Sequence, residues 1–136
     1  MTQLIGAVGF GDVVEAPALV STDAFSARYD LDHDTGVISR ESHDLCGQSI
    51  AGRILVVPTA KGGTATGWRL LDLQSRGLAP AGLVLRTTNP VLVQGAVFAG
   101  IPIMHELEPD PVTSIETGQL LRLVPREGRV ETLGQG

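Results

Sequence analysis

In the middle of the chain, short continuous runs of apolar residues alternate with segments whose apolar residues recur at helical spacing. Residues 52–58 and 82–88 are short runs of aliphatic, often β-branched residues, which predict strands buried on both faces. Each run precedes a segment with apolar residues at helical spacing, residues 68–76 and 91–99, and residues 101–104 predict a third short strand. This order of strand, helix, strand, helix and strand predicts an α/β fold with a central parallel sheet.

Glycine, asparagine and proline mark the ends of the two helices. Gly77 and Gly100 follow them directly, and glycine is the residue that most often ends a helix in the left-handed conformation. Asn89 and Pro90 precede the second helix as a predicted N-cap and first helical residue.

Shorter apolar segments flank this core on both sides. Residues 4–10 and 18–20 predict strands, and residues 37–39 predict another after a polar turn that ends at Gly36. Residues 117–133 predict a hairpin. Because hairpins pair their strands in opposite directions, we expect a second, antiparallel sheet beside the parallel one.

Composition narrows the class of protein. With 136 residues, 43% hydrophobic and 18% charged, the chain is expected to form a single domain over residues 1–136 and not a disordered segment. The net charge of −5 argues against nucleic-acid binding, and the longest apolar runs are far below the ~20 residues that span a membrane. The N-terminal sequence lacks the pattern of a signal peptide, so we expect a cytoplasmic protein. The low charge also suggests that another chain covers part of the surface.

The segment at residues 58–67 joins a buried strand to a helix and contains the only lysine, Lys61. The N–H groups of Gly62 and Gly63, the positive end of the helix and the ammonium group would together attract a carboxylate or a phosphate. The hydroxyl groups that could add hydrogen bonds are those of Thr59, Thr64 and Thr66. The alternative is a tight turn in which glycine serves the backbone geometry alone.

Arg86 and Thr87 lie at the end of the next predicted parallel strand. Ligands of open α/β sheets bind at the carboxyl ends of strands, so we expect these residues to share one rim with Lys61 and to contact the substrate. The alternative is an arginine that only faces solvent. The acidic stretch at residues 106–110 is most simply a solvated loop.

The polar segment at residues 40–49 contains His43 and the only cysteine, Cys46. His43 and Cys46 could indicate a catalytic nucleophile or a metal site. However, two residues close together on an irregular loop do not form a catalytic triad, and the chain has no second cysteine to complete a metal site. We therefore assign no metal site to this chain. The chain thus has one candidate anion-binding site but almost no residues that could act there as acid, base or metal ligand. This indicates that the chain alone is not a complete enzyme.

Four segments together resemble the aconitase X swivel-domain family: residues 45–58, 61–64, 77–82 and 95–103. The resemblance implies a swivelling β/β/α fold of three layers. It also implies a small subunit whose active site is completed by a larger aconitase X subunit, in which an iron or iron–sulfur centre resides. This chain would then bind no cofactor of its own.

The activities known in this family are dehydrations, of cis-3-hydroxy-L-proline in bacteria and of phosphomevalonate in archaea. Nine arginines against one lysine favour a bacterial source, so the first expectation is a hydro-lyase subunit acting on cis-3-hydroxy-L-proline or a similar small hydroxy acid. The alternatives are the phosphomevalonate dehydratase small subunit and a non-catalytic swivel or binding module.

One loop departs from the family. Archaeal members contain Gly-Arg-Gly-Ser-Thr here, and the serine is taken as the proton acceptor, but it falls at Gly63 in this chain. We expect Thr64 to take over the role, with Lys61 beside it. Otherwise the base comes from elsewhere, or this protein does something different.

Overall fold

The structure is a computed structural model that describes residues 2–27, 29–61 and 64–135. In chain order the strands are β1 (Thr2–Ile5), β2 (Val14–Val20), β3 (Leu31–Asp32), β4 (Val37–Ile38), β5 (Ile54–Val57), β6 (Gly82–Leu85), β7 (Ile103–Met104), β8 (Gln119–Val124) and β9 (Arg129–Gln135). The helices are α1 (Thr64–Ser75), α2 (Pro90–Ala99) and α3 (Pro111–Ser114), and a 3₁₀ turn at Pro125–Glu127 joins β8 to β9.

Strands β2, β5, β6 and β7 form the parallel part of the fold, in that order. All four residues of β5 and all four of β6 are buried, as the sequence predicts for strands covered on both faces. Helix α1 connects β5 to β6, and α2 connects β6 to β7. Asn89 caps α2 by accepting from the N–H of Leu92, and Gly100 ends it with a φ of 71°. Both end signals are therefore confirmed.

The antiparallel strands are joined to the parallel ones through β2, so the main sheet has the order β1-β9-β8-β2-β5-β6-β7. Residues 18–20 of β2 pair in parallel with β5, whereas residues 14–17 pair antiparallel with β8. The predicted antiparallel sheet is present as β1, β9, β8 and the first half of β2, and a separate small sheet consists of β3 and β4.

Alternate residues of β5 face two different cores. Leu55 and Val57 belong to the cluster that includes the buried residues of α1 and α2, whereas Ile54 and Val56 belong to the cluster beneath β8 and β9. The parallel strands thus lie between a helical layer and an antiparallel layer. This arrangement confirms the three-layer β/β/α architecture.

Some element boundaries differ from the sequence prediction. Strand β1 ends at Ile5, because the chain next crosses the segment around Glu106: a Cβ on Gly6 would lie 2.3 Å from the carbonyl oxygen of Glu106. Helix α1 begins at Thr64, before the predicted apolar repeat. The short helix α3, capped by Asp110, has no counterpart in the prediction.

Candidate functional site

The segments that follow β5 and β6 leave the sheet at the same edge. Val57 pairs with Leu85, and the next residues remain together because the N–H groups of Arg86 and Thr87 both donate to the carbonyl oxygen of Pro58, at 3.1 and 3.3 Å. Helices α1 and α2 begin shortly afterwards. The expected common rim is therefore present.

Lys61 lies at this edge with an exposed side chain. Its N–H donates to the carbonyl oxygen of Phe25 at 2.7 Å, and the N–H of Phe25 donates to the carbonyl oxygen of Thr59 at 3.0 Å. Thr66, which is buried in the first turn of α1, donates its hydroxyl to the carbonyl oxygen of Lys61 at 3.2 Å. Thr66 thus positions the Lys61 backbone, and its direct contact with a substrate stays a prediction.

Of three further predicted site residues, the structure describes the backbone position of one. Gly62 and Gly63 lie outside the described residues, and Thr64 is described as the first residue of α1. Their assigned roles in substrate binding and proton transfer stay predictions.

Arg86 is engaged in a bidentate ion pair with Asp110. Its Nε lies 2.9 Å from each carboxylate oxygen, and its Nη2 lies 2.8 Å from Oδ2. These hydrogen bonds raise the pKa of Arg86 and lower the pKa of Asp110. Thr87 beside it is exposed. A substrate anion would have to compete with Asp110 for the guanidinium group, so substrate binding by Arg86 stays a prediction.

A polar cavity of about 190 Å³ opens beside Lys61. Its lining consists of Asp23, Ala24, Arg40, Ser42, His43 and Lys61. The irregular segment at residues 40–49 therefore reaches the same region as Lys61. No periodic pattern in the sequence predicts this contact, although His43 lies two residues before the first segment of the family resemblance.

His43 is buried at the cavity wall. Its Nε2 lies 3.1 Å from the carbonyl oxygen of Ala24, which can only accept, so Nε2 carries the proton. Its Nδ1 accepts from the N–H of Leu45 at 3.1 Å. Ligand atoms of Asp23, His43 and Asp44 lie within 4.8 Å of one another, but the engaged imidazole has no free lone pair to offer a metal ion.

Arg40 is held beside the cavity by Asp30, a buried carboxylate. Asp30 accepts from Nη1 of Arg40 at 3.1 Å and from the N–H of Ser26 at 2.8 Å. Arg40 and Lys61 thus bring two positive charges to a cavity that also exposes the carboxylate of Asp23. Asp30 already pairs with Arg40, and Asp23 adds a negative charge, so Lys61 is the cationic group of this lining that is left for an anion.

Comparison with known proteins identifies the family. Residues 3–132 match the family described as the aconitase X swivel domain. The chain belongs to this family. Aconitase X of Thermococcus kodakaraensis, in its holo-form, contains a chain that superposes with a TM-score of 0.90 at 29% identity, covering 98% of this chain and 99% of that one.

Two archaeal relatives are named phosphomevalonate dehydratase small subunit. The relative from Methanopyrus kandleri is 42% identical over 118 residues, which cover 87% of each chain. The relative from Pyrococcus horikoshii is 34% identical over 124 residues, covering 91% of this chain and 90% of the relative. This aconitase X swivel domain is therefore a dehydratase subunit, that is, a subunit of a hydro-lyase. Within the described part of the chain, no helix is long and apolar enough to cross a membrane.

Proposed function

We propose that this chain is the small subunit of a phosphomevalonate dehydratase. The observation that carries the proposal is the 42% identity to the Methanopyrus kandleri subunit, over 87% of both chains. Phosphomevalonate therefore replaces cis-3-hydroxy-L-proline as the preferred substrate. The earlier preference depended on the ratio of arginine to lysine, which reflects the composition of a genome and not the chemistry of a ligand.

The charges at the candidate site suit such a substrate. Phosphomevalonate carries a carboxylate and a phosphate, and the edge of the sheet offers Lys61 and the start of α1, beside a polar cavity in which Asp30 pairs with Arg40. A helix N-terminus presents free N–H groups and a positive partial charge to an anion. Together these groups support binding of one end of the substrate by this chain.

Dehydration removes a proton from the carbon beside the carboxylate and hydroxide from the next carbon. The electron pair of the C–H bond forms the double bond, and the hydroxide leaves as water after it takes up a proton. We propose that Thr64 first gives its hydroxyl proton to solvent and then, as alkoxide, accepts the carbon-bound proton, which restores the hydroxyl. The proton that the leaving hydroxide takes up comes from solvent, so each turnover releases one water and leaves Thr64 unchanged. Lys61 and the start of α1 would stabilise that alkoxide before the transfer.

An iron or iron–sulfur centre is proposed for the large subunit, where it would act as a Lewis acid toward the leaving hydroxide. An iron–sulfur cluster needs several thiolates, and this chain has one cysteine, the exposed Cys46. Both nitrogens of His43 are engaged by the backbone. The donor groups described in this chain thus do not fit such a centre.

The test is a reconstitution of the two subunits. Purified large and small subunits of the same organism are assayed for water loss, together and separately, on phosphomevalonate and on cis-3-hydroxy-L-proline. We expect turnover of phosphomevalonate only when both subunits are present. If the assembled enzyme turns over cis-3-hydroxy-L-proline but not phosphomevalonate, the proposed substrate is wrong. If the large subunit without this chain reaches full turnover, this chain has no role in the reaction.

A further inference from the structure

An apolar groove of about 430 Å³ lies between α1 and α2 on the outside of the helical layer. Its floor is formed where the helices approach each other at Gly67 and Gly95: a Cβ on Gly95 would lie 2.5 Å from the Cα of Gly67. Trp68 and Phe98 line the groove, with 68% and 70% of their surfaces exposed. These are unusually large apolar side chains to leave in water.

The sequence of α2 indicates that both of its sides are covered. Its ten residues include no charged side chain, and Gln94 is the only polar one. Leu92, Ala96 and Ala99 face the core, whereas Val91, Gln94 and Phe98 line the groove on the other side. A helix that is apolar on all sides is typical of a buried position. The groove side of α2 has no cover within the described residues.

The groove begins at the same edge as the candidate site. Trp68 lies in the second turn of α1, one turn beyond Thr64, and Val91 lies in the first turn of α2, shortly after Arg86. A chain that completes the active site at this edge therefore passes over the start of the groove. This continuity favours the large subunit as the occupant over a second copy of this chain.

We propose that the groove between α1 and α2 is the principal docking surface for the large subunit, which inserts an uncharged, apolar segment between Trp68 and Phe98. The inference rests on the proposed two-subunit enzyme and adds the surface that holds it together. The lining residues carry no charge, so the partner segment would gain nothing from charged residues there. Large aromatic side chains buried at an interface commonly carry much of the binding free energy.

The first test measures binding of the full-length chain to its large subunit. The double variant Trp68→Gln/Phe98→Gln should raise the Kd by at least about 100-fold, because each aromatic side chain buried at an interface commonly contributes a factor of ten or more to the affinity. Val8→Gln/Val13→Gln is the matched control, because these valines are 69% and 59% exposed and lie outside the groove. The control should bind within about threefold of the wild type, and both double variants should keep the wild-type melting temperature, as exposed substitutions usually do.

The second test uses the fact that Trp68 is the only tryptophan of the chain. A small subunit labelled with 5-fluorotryptophan gives a single ¹⁹F resonance. Adding unlabelled large subunit should shift this resonance and protect it from a soluble paramagnetic agent.

Three results would overturn the docking surface: groove variants that bind as tightly as the wild type, equal losses in the control, or a ¹⁹F resonance that stays fully accessible in the complex. A groove occupied by a second copy of this chain, and not vacated on adding large subunit, would overturn it as well. If the wild-type chain does not bind a large subunit at all, the proposed two-subunit function is wrong. If the wild type binds and the groove variants bind equally well, only the docking surface is wrong.

Discussion

Asp110 accepts a bidentate pair of hydrogen bonds from Arg86 and also caps α3 through the N–H of Val112, at 3.1 Å. One carboxylate thus joins the segment after β6 to the segment after β7. Hydrogen bonding to Arg86 is the main cause of the lowered pKa of Asp110. A group whose pKa is lowered by folding stabilises the protein above its unfolded pKa, and that stabilisation disappears as the pH falls through the folded pKa.

Asp110→Asn separates the ion pair from the cap. Asparagine caps helices as well as aspartate does, so the variant should lose only the charge interaction. We expect the urea midpoint of the wild type to exceed that of the variant at pH 7, with the difference vanishing as the pH falls below the ordinary aspartate pKa of about 4. Asp34→Asn is the control, since Asp34 is 87% exposed beside Arg76. A difference that persists at the lowest pH would contradict the assignment.

Gly95→Ala tests the close approach of the two helices. In an isolated helix this change is favourable by up to about 1 kcal/mol, because glycine is a poor helix former. Here the new Cβ would lie 2.5 Å from the backbone of Gly67, so the helices must separate. We expect a net loss of about 1–3 kcal/mol in the free energy of unfolding, measured in urea. The exposed Gln94→Ala on the same helix should stay within about 0.5 kcal/mol of the wild type. A stabilised Gly95→Ala protein would contradict the packing.

Sequence alone was enough for features that depend on neighbouring residues. Asn89 caps α2, Gly100 adopts a φ of 71° and Gly36 a φ of 73°, all as expected from local turn and cap preferences. The buried strand β5 follows from four consecutive aliphatic residues. Each of these signals is contained within a few positions, so no knowledge of the tertiary structure is needed.

Contacts between distant, irregular segments could not be predicted in the same way. Asp110 is 24 residues from Arg86 and lies in an acidic stretch that suggested only a solvated loop. The segment around His43 has no periodic pattern that would place it beside Lys61. Strand β2 changes partners between Pro17 and Ala18, which no local pattern marks. These features are determined by how the layers pack.

Asp30→Ala tests the support of the polar cavity. The variant removes a buried carboxylate that accepts from Arg40 and from the N–H of Ser26, and hydrogen bonds to charged groups are worth about 1.5–3 kcal/mol. We expect a loss of about 2–3 kcal/mol in the free energy of unfolding, with a smaller loss in Asp30→Asn. Denaturation in urea measures both. If Asp30→Ala and the exposed control Asp34→Asn behaved alike, the network would have no structural role.

Lys61→Ala addresses substrate binding in the reconstituted enzyme. Lys61 is proposed both to hold an anionic group of the substrate and to stabilise the Thr64 alkoxide, so its loss should raise KM for phosphomevalonate and also lower kcat. An exposed ammonium group that forms one charge-assisted contact should account for roughly a tenfold effect on KM. Lys61→Arg keeps the charge and should recover most of the binding. A kcat that stays at the wild-type value would contradict the role of Lys61 in stabilising the alkoxide and leave it with substrate binding alone.

Thr64→Ala addresses the proton transfer itself. Loss of a group that accepts a proton typically slows the reaction by about 10²–10⁴-fold, so kcat of the two-subunit enzyme should fall by this factor while KM changes little. Thr64→Ser keeps the hydroxyl and should remain active.

The double variant Gly63→Ser/Thr64→Ala moves the hydroxyl to the position of the family's serine. Partial recovery relative to Thr64→Ala would show that the reaction needs a hydroxyl at the start of α1. A near-normal kcat in Thr64→Ala, with both subunits assembled, would place the base on the large subunit and leave this segment with substrate binding alone.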